Sequence, residues 1–322
     1  MTRRVRCAVA LTAAVGFGSV FAGCGSIDGK TAADCGTVQA AFASFDPYAN
    51  TPQRIMAGLI CDNGNRVTGG AVQFAFTFIG TRDMPLSPGT PGPSTAAQFT
   101  ALPSPDARPP SSAPAATRPS QVTGVYAATV ALPTAGLWEL QVSSTKGLRF
   151  AVKTTFAVSA TPRVVAVGDR APATKNPVAG DATTPASAID SRAQDGSTIP
   201  DPELHSTSVA DALAAGKPMV VVVSTPVYCQ SQFCGPVTDM VAQLQKQFGN
   251  QVAFIHLEVW RDFANSQPND AALEWIGPKD GTDANEPWVF VVGADGTVSA
   301  RFDNIATESD LRTAIEQVLA KR

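Results

Sequence analysis

The chain has 322 residues, a length that suggests about two domains. Its formal net charge is −3 with only 16% charged residues, so it carries no basic field, and nucleic acid is excluded as a partner. The 26 Gly and 25 Pro gather in a few stretches, which marks those stretches as linkers rather than core.

The first element is an export signal over residues 1–23. Arg3, Arg4 and Arg6 form a positive start, and an apolar run follows from Cys7 to about Ala22. That run is short for a membrane span, which needs about 20 apolar residues. It ends in "FAGC", with small Ala22 and Gly23 before Cys24. The stretch resembles a bacterial lipobox, which implies cleavage before Cys24 and lipidation of that cysteine. The resemblance implies a palmitate-type anchor on the outer face of the cell membrane. Of the six cysteines, Cys7 leaves with the signal and Cys24 carries lipid, so Cys35, Cys61, Cys229 and Cys234 remain. An even number outside the cytoplasm points to two disulfides, and proximity favours Cys35–Cys61 and Cys229–Cys234 among three pairings. The first reads as structural and would contribute about 3 kcal/mol in the loop-entropy picture.

After an N-terminal segment, 24–50, residues 51–159 read as an all-β domain. Two apolar runs flank Asp62-Asn63-Gly64-Asn65, a turn signal. Val72, Phe74, Phe76 and Phe78 alternate along one strand face, and Trp138, Leu140 and Val142 along another. Short strands with Gly and Asn turns predict a small Ig-like β-sandwich. Within it, 85–121 is rich in Pro, Ser, Ala and Thr and has almost no apolar content. The composition predicts a disordered insert. Residues 160–200 form a second irregular stretch, predicted as a linker.

From Asp201 the pattern becomes α/β. "SVADALAAG" predicts a short helix capped by Ser206 or Thr207 and stopped by Gly216. "KPMVVVVST" predicts a strand buried on both faces. Val237, Met240, Val241, Leu244 and Phe248 fall at helical spacing, "VAFIHLEV" is a further strand, and "PWVFVVGADGTVSARFD" a hairpin turning at Asp295-Gly296. "TESDLRTAIEQVLAK" closes the chain as a helix capped by Thr307.

This order over 201–322, with "FCGPV" at Cys234, Gly235 and Pro236 and "EPWVFVV" at Pro287, resembles the thioredoxin fold. The expected architecture is therefore multidomain: an N-terminal β-sandwich and a C-terminal α/β thioredoxin-like domain. "GVYAATVALPTAGLWELQV" makes the β domain similar to the small YtkA-like or FixH-like sandwiches. The thioredoxin resemblance implies that Pro287 is cis, lies beside the cysteines and leaves backbone groups free to hold a peptide. It also implies Cys234 as nucleophile and Cys229 as resolving thiol. The chain departs from the family at Val237, where the second cysteine would stand; the partner lies upstream instead. Two residues five apart inside one helix have Cα atoms about 8.6 Å apart, whereas a disulfide needs less than about 7 Å. Pro236 suits a first helical turn. Cys234 is therefore expected at or just before the helix start, with Cys229 in the loop that precedes it. At the helix start the free N–H groups lower a thiol's pKa.

The expected activity is thiol–disulfide exchange through Cys229 and Cys234 with exported protein thiols or disulfides, without a cofactor. Two alternatives stand beside it. Cys229, Cys234 and His256 together suit Cu(I), which would make the protein a metallochaperone-like copper binder for oxidase assembly. Alternatively, the pair is a structural staple in a binding module. The β domain has no His, and His205 reads as a surface residue.

Overall fold

The computed structural model describes residues 35–101, 116–118, 124–193, 196, 198–229, 231, 233–281 and 283–321. The signal over 1–23 and Cys24 lie outside the described residues. Among the described residues no helix is long and apolar enough to cross a membrane.

The N-terminal body is antiparallel β. Its strands are β1 (Val38–Phe42), β2 (Pro52–Cys61), β3 (Arg66–Thr68), β4 (Ala71–Gly80), β5 (Pro85–Ala101), β6 (Ala116–Arg118), β7 (Gly124–Ala131), β8 (Gly136–Ser144) and β9 (Phe150–Val158). They join in one sheet in the order β6-β3-β2-β7-β5-β4-β8-β9, with β1 also paired to β2. The sheet curls until Phe42 of β1 stacks on Phe156 of β9, ring centroids 4.2 Å apart. Alternation decides what lies inside: Phe74, Phe76, Tyr126, Trp138, Leu140 and Val142 are all buried in a shared core. A disulfide joins Cys35 to Cys61, Cα atoms 5.1 Å apart, where β1 begins and β2 ends.

Two expectations need correction. The segment 85–101, expected as part of a disordered insert, is the long strand β5. It pairs with β4 on one side, and its C-terminal end, Gln98–Ala101, pairs with β7 on the other. It therefore links the two halves of the β body into one hydrogen-bonded sheet instead of the two separate sheets of a sandwich. Backbone pairing and small side chains hold it, not apolar bulk. Ala97 is buried, and Gly92 lies so close over Trp138 that a Cβ there would come within 2.6 Å of the ring. The prolines fall in the stretch that pairs with β4 alone, where a missing N–H costs least.

The stretch 160–200 is no free linker either. Val164, Ala166, Ala171, Ala188 and Ile189 are buried, and short 3₁₀ turns form at Ala186–Ala188 and Ser191–Ala193. The N–H of Val165 donates to Trp275 and that of Ala171 to Gly296, so the segment is strapped to the C-terminal body.

That body contains α1 (Val209–Ala214), β10 (Met219–Ser224), α2 (Cys234–Phe248), β11 (Ala253–Glu258), a small hairpin β12 (Trp260–Asp262) and β13 (Gln267–Pro268), α3 (Asp270–Ile276), β14 (Trp288–Val292), β15 (Val298–Asp303) and α4 (Glu308–Leu319). The main sheet runs β11-β10-β14-β15, with β10 and β11 parallel and the other pairs antiparallel. Strand β10 is buried on both faces. Met219, Val221 and Val223 pack on the α1 and α3 side, and Val220 and Val222 pack with Val237, Leu244, Leu311 and Ile315 from α2 and α4. Ser208, not Ser206 or Thr207, caps α1, accepting from Asp211 N–H at 3.1 Å. Thr307 and Asp310 form a reciprocal capping box on α4.

The two bodies share a tight contact. Asp46 is buried and accepts from Arg163 and Arg301. Arg54 donates to Asp310 and to the carbonyls of Asp303 and Ile305. Met56 and Val125 of the β body pack on Phe233 and Ile305 of the C-terminal body. Because Phe233 precedes Cys234, the β body presses directly on the cysteine segment.

Candidate functional site

Cys229 and Cys234 form a disulfide with Cα atoms 5.9 Å apart. Cys234 is the first residue of α2, as the helix geometry required, and Cys229 lies in the segment before it. The two sulfurs differ in exposure. Cys234 is fully buried at the start of α2, whereas Cys229 is half-buried and follows the exposed Val227. The helix's positive end also acts on the less expected sulfur: the N–H of Cys234 donates to Sγ of Cys229 at 3.3 Å. The hydroxyl of Ser231 lies 3.3 Å from the same sulfur.

Pro287 is buried, and its peptide bond to Glu286 is cis. Glu286 brings its carboxylate to the pair: one of its oxygens and the two sulfurs all lie within 4.8 Å of one another. Beside them opens a cavity of about 820 Å³, lined by Phe45, Ser231, Trp260, Pro268, Leu273 and Glu286 among others. The β12–β13 hairpin adds an aromatic shelf next to Cys229. Phe263 stacks on Tyr228 at 3.9 Å and packs edge-on to Trp260 at 5.4 Å. The sequence marked Glu286 only through its neighbour Pro287; nothing local assigned it a role at the site.

His256 is not near the sulfurs in the way Cu(I) binding would require. The donor atoms of Cys229, Cys234 and His256 do not all come within 4.8 Å of one another; His256 groups instead with Asp190 and His205. Its ring is committed elsewhere. Thr238 Oγ1 donates to the carbonyl of Cys234 at 2.9 Å, and Ser224 Oγ lies 2.7 Å from Thr238 Oγ1. Thr238 has spent its only proton on the carbonyl, so Ser224 donates to Thr238. His256 Nε2, 3.0 Å from Ser224 Oγ, must then donate to Ser224. The chain His256→Ser224→Thr238→Cys234 ties the first turn of α2 to the centre of the sheet.

The other side of His256 faces Asp190, with Nδ1 3.5 Å from Oδ2. His205 Nε2 is 3.3 Å from the same oxygen, and Arg192 pairs with it at 2.7 Å. His205 is thus a buried member of this cluster, not a surface residue; it is only 1% exposed. Burial pushes the Asp190 carboxyl up, but hydrogen bonds from His205 and Arg192 and the nearby His256 ring outweigh it and hold Asp190 well below the usual carboxylate range. Burial pushes the His205 imidazole below its ordinary value of 6.5, against the raising effect of Asp190. Unfolded His205 takes up a proton near pH 6.5 and the folded residue only at lower pH, so its burial costs stability as pH falls below that value. In urea titrations between pH 7.5 and 5, wild type is expected to lose stability relative to His205→Gln by at most about 1.4 kcal/mol per pH unit. Parallel pH profiles for the two proteins would contradict a neutral buried His205.

Glu258 lies at the end of β11, 1% exposed, accepting from Ser191 N–H at 2.8 Å. Burial pushes its carboxyl up, against the lowering influence of His256, Thr225 and Ser191.

No family model matches the chain, and no curated protein matches it. Several solved structures show limited likeness, three of them as follows. One is a thiol:disulfide interchange protein of the thioredoxin family from Chlorobium tepidum, 19% identical, covering 35% of this chain and 86% of that one with a TM-score of 0.29. Another is a candidate lipoprotein from Bacillus anthracis, 20% identical, covering 38% and 73% with a TM-score of 0.21. The third is BslA, a bacterial hydrophobin, 11% identical, covering 38% and 98% with a TM-score of 0.18. At these TM-scores none of the three establishes what this chain does.

Proposed function

We propose that this protein carries out thiol–disulfide exchange outside the cytoplasm, through Cys229 and Cys234 on a thioredoxin-like C-terminal domain. The β body serves as its docking and spacing unit. The observation that carries this reading is the asymmetry of the pair: one sulfur is half-exposed at a helix N-terminus and the other is fully buried. An exchanging pair needs one sulfur that a partner can reach and one that displaces the partner from within. The exposure reverses the roles that the resemblance implied: Cys229 meets the partner and Cys234 is the internal, resolving sulfur. The backbone donor on Cys229 favours its thiolate, the attacking species. The partners are exported proteins bearing thiols or disulfides, and a lipid on Cys24 would hold the enzyme at the membrane where it meets them.

The test is a titration of the soluble protein in glutathione redox buffers, with free thiols counted by mass spectrometry. A Cys229–Cys234 potential above about −270 mV places the pair among oxidoreductases. A pair that stays closed below about −300 mV is a staple, and the protein is then a binding module.

A further inference from the structure

We propose that Glu286 is the acid that protonates Cys234 when the disulfide opens. This rests on the exchange reading above and assigns the group that handles its proton. The geometry is specific. Cys234 Sγ is sealed from solvent, so a thiolate left there has no water to stabilise or protonate it. A Glu286 carboxylate oxygen lies within 4.8 Å of both sulfurs, and Glu286 also lines the open cavity. It thus has the buried sulfur nearby on one side and a route to solvent on the other.

The surroundings keep this carboxyl in the form an acid needs. Among the described residues Glu286 makes no hydrogen bond or ion pair, and no lysine or arginine lines the cavity. The charged groups around it are acidic: Glu258 from β11 and Asp283 from its own loop. Burial pushes the Glu286 carboxyl above its ordinary value, and the charge of Glu258 pushes it further.

A partner thiolate attacks Sγ of Cys229, and the bond to Cys234 breaks. A mixed disulfide forms between the partner and Cys229, while the electron pair of the broken bond stays on Sγ of Cys234. The Glu286 carboxyl gives its proton to that sulfur and becomes a carboxylate, which regains a proton from solvent through the cavity. The partner's second thiolate then attacks the partner sulfur of the mixed disulfide. The partner leaves as a disulfide, oxidised by two electrons, and Cys229 leaves as a thiolate protonated by solvent.

The experiment measures reduction of the disulfide by dithiothreitol in stopped flow from pH 4.5 to 8.5, with rates divided by the dithiothreitol thiolate concentration. In wild type the corrected rate is expected to fall as pH rises through the Glu286 titration. Glu286→Gln is expected to be about 10²-fold slower at the acid end, with a flat profile. Glu286→Asp keeps a carboxyl and is expected to keep the fall. If Glu286→Gln retains the wild-type rate and slope, Glu286 is not the acid, although the exchange reading stands. A uniform slowing of both variants at every pH would show a merely structural role and overturns the inference too. A wild-type disulfide that does not react at all sinks this inference together with the exchange reading.

Discussion

Cys234→Ser is expected to take up one glutathione from oxidised glutathione, on Cys229, and to hold it. Folded Cys229→Ser is expected to take up none. The expectation follows from exposure and from where the helix dipole acts. In Cys234→Ser the free thiol is half-exposed, and the residue 234 N–H remains aimed at it. Attack on oxidised glutathione leaves a mixed disulfide, and no internal sulfur remains to displace it. In Cys229→Ser the surviving thiol is fully buried, and its neighbour Phe233 packs against Met56 and Val125 of the β body. Its reaction should appear only in denaturant. Intact mass of both variants, with and without denaturant, decides the matter. Modification of folded Cys229→Ser at the rate of Cys234→Ser would show that the β body does not shield the buried sulfur, and the order of the two cysteines would have to be exchanged.

The largest loss of stability is expected at Asp190, far in sequence from any cysteine. Asp190 is fully buried and is the shared acceptor of Arg192 and His205, with His256 facing it. Asp190→Ala removes the fully buried carboxylate of this network; Arg192 keeps Asp201 and Asp239, but the buried rings of His205 and His256 lose the anion they face. Breaking a buried pair costs about 3–5 kcal/mol, and this loss falls on the buried imidazoles, which are left without their acceptor. Asp190→Asn keeps the shape and part of the hydrogen bonding, so its loss should be smaller. Urea unfolding of the two variants measures the difference. A loss under about 1 kcal/mol for Asp190→Ala would mean that the cluster is open to water and contributes no more than a surface pair. The effect should also reach the site, since His256 leads through Ser224 and Thr238 to the first turn of α2.

Much of the fold was legible in local pattern. The alternation of Phe74 and Phe76, and of Trp138, Leu140 and Val142, marked strand faces that are buried. The continuous apolar run of β10 marked a strand covered on both sides, and helices do cover both. Helical spacing marked α2 and α4, and Thr307 marked the start of the latter. Elementary helix geometry placed Cys234 at the opening of α2 with Cys229 outside it. These features depend on residues a few positions apart, where side-chain periodicity reports directly which face meets the core.

Tertiary structure alone decided the rest. Strand β5 has no apolar pattern to read, because its partners hold it through the backbone and through the close approach of Gly92 to Trp138. Asp190 and His205 lie in polar surroundings that looked like linker and surface, yet the strap over the C-terminal body buries both. Glu286 comes near the sulfurs only in the folded chain. Which cysteine faces outward depends on a β body that begins nearly two hundred residues earlier and closes over Phe233. Local pattern determines which residues seek a core; burial of a polar or reactive group depends on what arrives from elsewhere in the chain, and no short-range periodicity encodes that.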